Sequence, residues 1–425
     1  MYFLYSLLFG LALLAVIPVY FIKLRIKRNE RLHLRERFGF KVPKRKTNRP
    51  FLWIHAVSVG EVLSLQNLIQ EIKQGHPEWE VAFSTLTNTG YKVASAKLRN
   101  VDHLLYVPFD FGWVVRRFFK RLRPQLLVLA ESEFWPRLLL EARRSQCPVL
   151  VVNGRISERS YRRMRRWRRT VNTLFRNISR FLVQTGQDKE RLEKIGVEPE
   201  RIDISGNLKC EVRLPSLEET EIQQFKKELN IPEGKKVVVA GSIHKGEDVR
   251  LFQAFQEARR ARNDILLVLA PRHPEKFGGI EETFPGDSFV ICRRTDLQPG
   301  REWDVLILDT IGELARFYAL SDAAFIGGSL VPWGGQNLLE PAFYGKPVFF
   351  GPHMKNFAAL ADAFVRGGAA KIVEKPDELK DMFLFNDAPG LEARGKRAKE
   401  ILCSLQGATI KTLAAIEFFM THGNP

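Results

Sequence analysis

The sequence predicts an α/β protein: two doubly wound, Rossmann-like parallel-sheet domains facing across a cleft, preceded by one N-terminal transmembrane helix. Three observations carry this. From residue 51 onward short apolar runs alternate with longer amphipathic stretches, and the alternation restarts after a polar, acid-rich stretch at 214–236. Ahead of both lies an uncharged run at residues 2–22. The implied division is 1–50 for an anchor and basic juxtamembrane segment, 51–209 for a first α/β domain, and 210–425 for a second, its last helix free to pack back on the first domain.

At 1.5 Å per residue the run 2–22 rises roughly 31 Å, the thickness of a bilayer's hydrocarbon core. Tyr2, Tyr5 and Tyr20 sit near its ends, where aromatic side chains favour the interface. It lacks the basic start and small-residue cleavage site of a signal peptide. In residues 23–49 basic side chains far outnumber Glu30 and Glu36, which by the positive-inside rule leaves the body of the chain in the cytoplasm and draws this segment to an anionic membrane surface.

In the first domain the expected strands are 51–57, 80–86, 103–109, 125–131, 148–154, 180–185 and 201–206, with helical patterns such as Glu61–Gln74 and Trp113–Arg121 between them. The second series runs 237–242, 264–270, 288–294, 304–309, 323–328 and 346–351, and a helix is expected from Gly390 to Phe419. Two doubly wound domains place a ligand at the carboxyl ends of their strands.

Composition narrows the function. Lys plus Arg number 66 against 48 Asp plus Glu, a formal charge of +18, so a negatively charged partner is expected: nucleic acid, anionic lipid or a phosphorylated substrate. Cys147, Cys210, Cys292 and Cys403 are scattered, which excludes a disulfide scaffold and a zinc ribbon. No G-x-G-x-x-G follows a strand and no P-loop is present; GSIHKGED (241–248) only imitates one, since Lys245 precedes Gly246.

What the junctions offer instead is a set of polar residues. In HAVSVGEV, Glu61 opens a helix just after a strand, where the dipole and free N–H groups favour a carboxylate. It reads either as a general base or as a first-turn capping acid. Glu131 of ESEFWP ends another strand, as half of an acid/base pair or as an unrelated surface acid. Lys209 of GNLK either reaches a phosphate or, on residues alone, is a solvated linker lysine. In the second half Pro271–Arg272–His273 follow a strand, DTIGEL (309–314) follows another, and GGSLVPWGGQNLLEP supplies a glycine-rich turn before a helix expected near Asn337. Glu340 stands one turn in, suited to ribose hydroxyls.

HAVSVGE (55–61), ESEFWP (131–136), NGRIS (153–157), GNLK (206–209), APRHPE (270–275), DTIGEL (309–314) and GGSLVPWGGQNLLEP with GPHMKNF (351–357) occur in this order. Along nearly its whole length the chain resembles the 3-deoxy-D-manno-oct-2-ulosonic acid (Kdo) transferases, which have the glycosyltransferase B fold. The resemblance implies transfer of Kdo from CMP-Kdo to a phosphorylated lipid A precursor (lipid IVA) in lipopolysaccharide synthesis, by an inverting enzyme anchored in the inner membrane with its catalytic domains on the cytoplasmic face, without metal or other cofactor. It implies that Glu61 is the proton acceptor and that Glu131 and Lys209 assist the transition state. It further implies that Pro271, Arg272, Ile311, Gly312, Glu313, Asn337, Leu338, Leu339 and Glu340 bind CMP. Ile311 stands where some members carry Met and Leu338 where some carry Pro; neither change removes a charge.

The stretch 155–180 holds ten arginines with Tyr161 and Trp167 interleaved. It suits a phosphorylated, membrane-embedded acceptor, or simply a solvated basic helix. RNA binding is the rival class for such a stretch, and no RNA-binding signature supports it. Transferases or epimerases acting on other nucleotide sugars share the architecture and remain the alternative within it.

Overall fold

The computed structural model describes residues 2–28, 33–212, 214–276 and 289–423, with the side chains of residues 16–28 and 276 outside that description. The chain divides into two compact units: residues 1–211 with 405–425, and residues 212–404.

The first unit holds a seven-stranded parallel sheet: β1 (Phe51–Ala56), β2 (Glu80–Thr85), β3 (His103–Tyr106), β4 (Leu126–Ala130), β5 (Val149–Gly154), β6 (Arg180–Val183) and β7 (Ile202–Ile204), in the order β3-β2-β1-β4-β5-β6-β7. β1, β2, β4 and β5 are buried along their whole length, as strands covered on both faces must be, and hence read as apolar runs without alternation. One face packs Trp53, Phe118, Leu127 and Phe181; the other packs Ile54, Phe83 and Val128 with Ile416 and Phe419 of the last helix, Ala408–His422. Burying a side chain such as Phe83 contributes about 2–3 kcal/mol.

The second unit repeats the plan with β8 (Lys236–Ile243), β9 (Ile265–Pro271), β10 (Ile291–Arg293), β11 (Val305–Ile307), β12 (Ala323–Ile326), β13 (Val348–Phe350) and β14 (Ala370–Ile372), all parallel, in the order β10-β11-β9-β8-β12-β13-β14. Each sheet reverses its winding once, between β1 and β4 in the first unit and between β8 and β12 in the second. Such switch points open a crevice at the strands' carboxyl ends.

Three expectations change. The first concerns the N-terminal helix, Tyr2–Arg28, whose first turns lie along the first unit rather than standing free as a span. Phe9 meets the rings of Phe111 and Trp135 at 5.3 and 6.5 Å, and the Arg137 side chain donates to Ser6 Oγ and to the Tyr2 carbonyl at 2.8 and 2.7 Å. Within the described side chains its apolar stretch is Tyr2–Ala15, shorter than a bilayer needs; residues 16–22 of the expected span and part of the basic segment lie outside them. Among the described residues the stretch apolar and long enough to span is Ala388–His422, yet it is broken at Gly407, whose φ of 97° ends any continuous helix.

The second change follows from that break: the single helix expected over 390–419 is two, Ala388–Leu405 and Ala408–His422, and they belong to different units. The third is β14, an unforeseen strand of three residues on the sheet's edge. The expected strand at 288–294 begins at Ser288, outside the described residues, and is strand at Ile291–Arg293.

Candidate functional site

In the first unit the polar residues gather at the switch point. β1 ends at Ala56, and Ser58 caps the helix Val59–Ser64, its Oγ accepting from Glu61 N at 3.3 Å. Glu61 reaches back: Oε2 accepts from Val57 N at 2.8 Å and Oε1 from Ser58 Oγ at 2.7 Å. This is a variant of the S-x-x-E cap, the carboxylate taking the N–H of Val57, one residue before the N-cap, in place of Ser58's own. The Val57 carbonyl is held in turn by the hydroxyls of Thr85 and Thr87 at 3.3 and 3.2 Å. Glu61 is therefore the capping acid and, at the same time, a carboxylate fixed in one orientation at the sheet's edge, with lone pairs left for a further donor.

The neighbouring strand β4 delivers Glu131, whose backbone is left-handed at φ 53°. Lys209 Nζ donates to its Oε1 at 2.8 Å, so these two predicted residues do meet. The turn bearing Lys209 is pinned from behind, Leu208 N donating to the buried Asn153 Oδ1 at 3.0 Å, which ties the NGRIS and GNLK segments together. Partly exposed, the Lys209–Glu131 pair stabilises the fold by no more than about 1 kcal/mol.

Sequence reasoning passed over Glu133, two residues further on. Burial, followed by the charges of Glu61 and Glu131, pushes its carboxyl up to about 7, against a hydrogen bond from Trp135 Nε1 at 3.0 Å that holds it down. Three carboxylates thus share one edge, and the signal was the E-x-E spacing at a strand end. Nearby His55 is fully buried on β1; burial depresses its imidazole to about 4, so it is neutral, with Nδ1 against Ser84 at 3.0 Å.

In the second unit Arg272 follows β9 and is exposed, its N–H donating to Ile243 O at 2.9 Å. Asn337 bonds both ways, Nδ2 donating to Glu340 Oε1 and Oδ1 accepting from Leu339 N, each at 3.1 Å. Burial raises the Glu340 carboxyl, while Asn337 and the charge of Arg272 lower it, so the structure brings Arg272 and Asn337–Glu340 together. The helix expected near Asn337 is only five residues, Leu339–Phe343. Leu338 and Leu339 are core side chains, leaving only their backbone for a ligand. Beside β9, the turn after β11 carries Ile311, 91% exposed, and Gly312 at φ 96°. Glu313 is occupied by Arg294 and by the Thr310 hydroxyl.

A cavity of about 700 Å³ lies along the glycine-rich loop, lined by Trp333, His353, Met354, Asn356, Asp362 and Val365 among others, and none of the predicted CMP-binding residues lines it. The GPHMKNF segment proves to be scaffolding for that loop: Asn356 N donates to Gly334 O at 2.8 Å, and Asn356 Nδ2 to Trp333 O at 3.2 Å.

The sequence profile described as 3-deoxy-D-manno-octulosonic-acid transferase matches residues 32–212. A bifunctional glycosyltransferase/methyltransferase of Fusobacterium nucleatum is 34% identical over 334 residues, 77% of this chain; the chain spans about half (51%) of that protein. A UDP-N-acetylglucosamine 2-epimerase structure superposes with a TM-score of 0.52 over 88% of this chain and 98% of its own, at 14% identity, a likeness of fold alone. The 3-deoxy-D-manno-octulosonic acid transferase of Bordetella pertussis is 31% identical over 376 residues, covering 86% of each chain. This chain therefore belongs to the 3-deoxy-D-manno-octulosonic acid transferase family and is a glycosyltransferase.

Proposed function

We propose that this chain transfers Kdo from CMP-Kdo to the phosphorylated lipid A precursor lipid IVA, by a single inverting displacement with Glu61 as general base. The observation that carries this reading is the Glu61 turn, a carboxylate locked by Val57 and Ser58 at the switch point of the first sheet, beside the Lys209–Glu131 pair. Glu61 takes the proton of the acceptor hydroxyl as that oxygen attacks the anomeric carbon and CMP departs. Lys209 supplies positive charge to the transition state, and Arg272 with the backbone of Ile311–Glu313 and Asn337–Glu340 holds CMP. Charged donors fixed before reaction would stabilise the leaving phosphate without rearranging solvent.

Membrane attachment falls to the N-terminal helix and the basic segment after it, with both units on the cytoplasmic side of the inner membrane. Phe3, Leu4, Leu7, Leu8, Leu11 and Leu14 form an exposed apolar stripe on that helix, beside the loop bearing Glu133 and Trp135. The helix Glu158–Arg166 buries no side chain, and its arginines and Trp167 suit phosphates of an anionic lipid. The test is to incubate membranes containing the protein with lipid IVA and either CMP-Kdo or UDP-sugars, and to weigh the lipid product. Mass added as whole Kdo units from CMP-Kdo alone is expected; transfer from a UDP-sugar instead overturns the reading.

A further inference from the structure

We propose that Glu247 is a positioning residue for the donor site, its buried carboxylate tying the His244 turn to the glycine-rich loop so that the backbone meeting the sugar nucleotide is fixed. The inference rests on the donor reading above and names a residue outside it.

Glu247 opens the helix Glu247–Arg259 after β8 and is fully buried. Its Oε2 accepts from His244 N at 2.8 Å and Gly328 N at 2.6 Å; its Oε1 accepts from Ser329 N at 2.9 Å and Leu330 N at 2.8 Å. The loops after β8 and β12 flank the second sheet's switch point, so one side chain crosslinks the two segments that border the expected crevice. Burial raises this carboxyl, and the four N–H groups oppose it.

The tie extends to the donor residues through contacts on either side. His244 stacks on Trp333, ring centroids 4.8 Å apart at 13°, and its Nε2 lies 3.3 Å from Gln336 Nε2, one residue before Asn337. On the other flank Ile243 O accepts from Arg272 N at 2.9 Å. A Cβ at Gly327 would come within 2.4 Å of Ile243 Cα, so at this point no side chain fits between the two segments. Only a carboxylate satisfies this arrangement. The amide of glutamine has one acceptor oxygen, and its NH2 would face two N–H donors, leaving buried groups unpaired.

The test compares wild type with Glu247→Gln and Glu247→Asp by amide hydrogen exchange and by CMP titration, alongside the KM and kcat for CMP-Kdo. In Glu247→Gln, protection at residues 328–330 should fall, and both the CMP dissociation constant and the KM should rise about tenfold with kcat changed far less. Glu247→Asp keeps the charge and should recover part of both. Lost protection or a lowered melting temperature without a change in CMP affinity overturns the inference and leaves Glu247 structural. Should Glu247→Gln not fold, unchanged affinity and protection in Glu247→Asp overturn it equally. Wild-type protein that binds no CMP overturns the donor reading itself, whereas a wild type that binds CMP leaves Glu247 judged on its own variants.

Discussion

The two switch points of this molecule solve the same problem with opposite materials. At the first, between β1 and β4, the fixed groups are side chains: Glu61, Glu131 and Glu133, each held within a few residues or by one partner such as Lys209. At the second, between β8 and β12, the fixed group is a loop backbone, held by a carboxylate 81–83 residues away in sequence. Acidic side chains suit proton transfer, whereas a basic residue and backbone N–H groups suit a nucleotide's anionic phosphate. The lesson is that identical topology can be specialised by which part of the chain, side chain or backbone, is made rigid.

The contrast predicts that damage at the first edge strikes turnover and damage at the second strikes donor affinity. Glu61→Ala should have the largest effect, a 10²–10⁴-fold loss of transfer rate, while losing the cap lowers stability by only about 1 kcal/mol, read by thermal melting. Arg272→Ala should raise the CMP dissociation constant some tenfold or more, as loss of a charged hydrogen bond of about 1.5–3 kcal/mol implies, whereas Lys209→Ala should act mainly on kcat. Equal effects on both constants from both variants would dissolve the contrast.

Glu133 sharpens it through pH. Its folded-state carboxyl is raised from 4.5 to about 7, so between those values the native state holds a proton that the unfolded chain has lost. Its contribution to stability therefore declines as pH rises from about 4.5 to about 7, and Glu133→Gln should melt with less pH dependence across that window. Above pH 7 ionised Glu133 adds negative charge beside Glu61, so wild-type transfer should fall there and the variant's should not. The smallest effect belongs to Ile311→Ala, about twofold on donor KM, because that side chain is almost wholly exposed and its backbone is what remains for CMP.

Much of the fold was readable because parallel strands buried on both faces are unbroken apolar runs, as in FLWIHA and LLVLA. β14 was not, since Ala370–Ile372 is a three-residue edge strand with Lys371 at its centre. The break at Gly407 carried a stop signal outweighed by apolar composition on both sides. Among the candidate site residues, Glu61 was legible because its cap is local, S-x-x-E, while Glu133 hid beside Glu131 and acquires its character from burial and from the charges of Glu61 and Glu131. Glu247 was illegible for a different reason: its partners lie far along the chain, and the GSIHKGED segment holding it looks locally like a failed phosphate loop. The apolar run at the N terminus read as a free span because sequence does not reveal that Phe9 and Arg137 fasten its first turns to the first unit.

The most direct test is the single-turnover transfer rate of Glu61→Gln at saturating CMP-Kdo and lipid IVA, since glutamine preserves the shape of the turn. The expected result is a rate at or below about 1% of wild type with CMP affinity unaltered. A rate close to wild type would contradict the assignment of the proton acceptor and, with it, the division of work between the two edges.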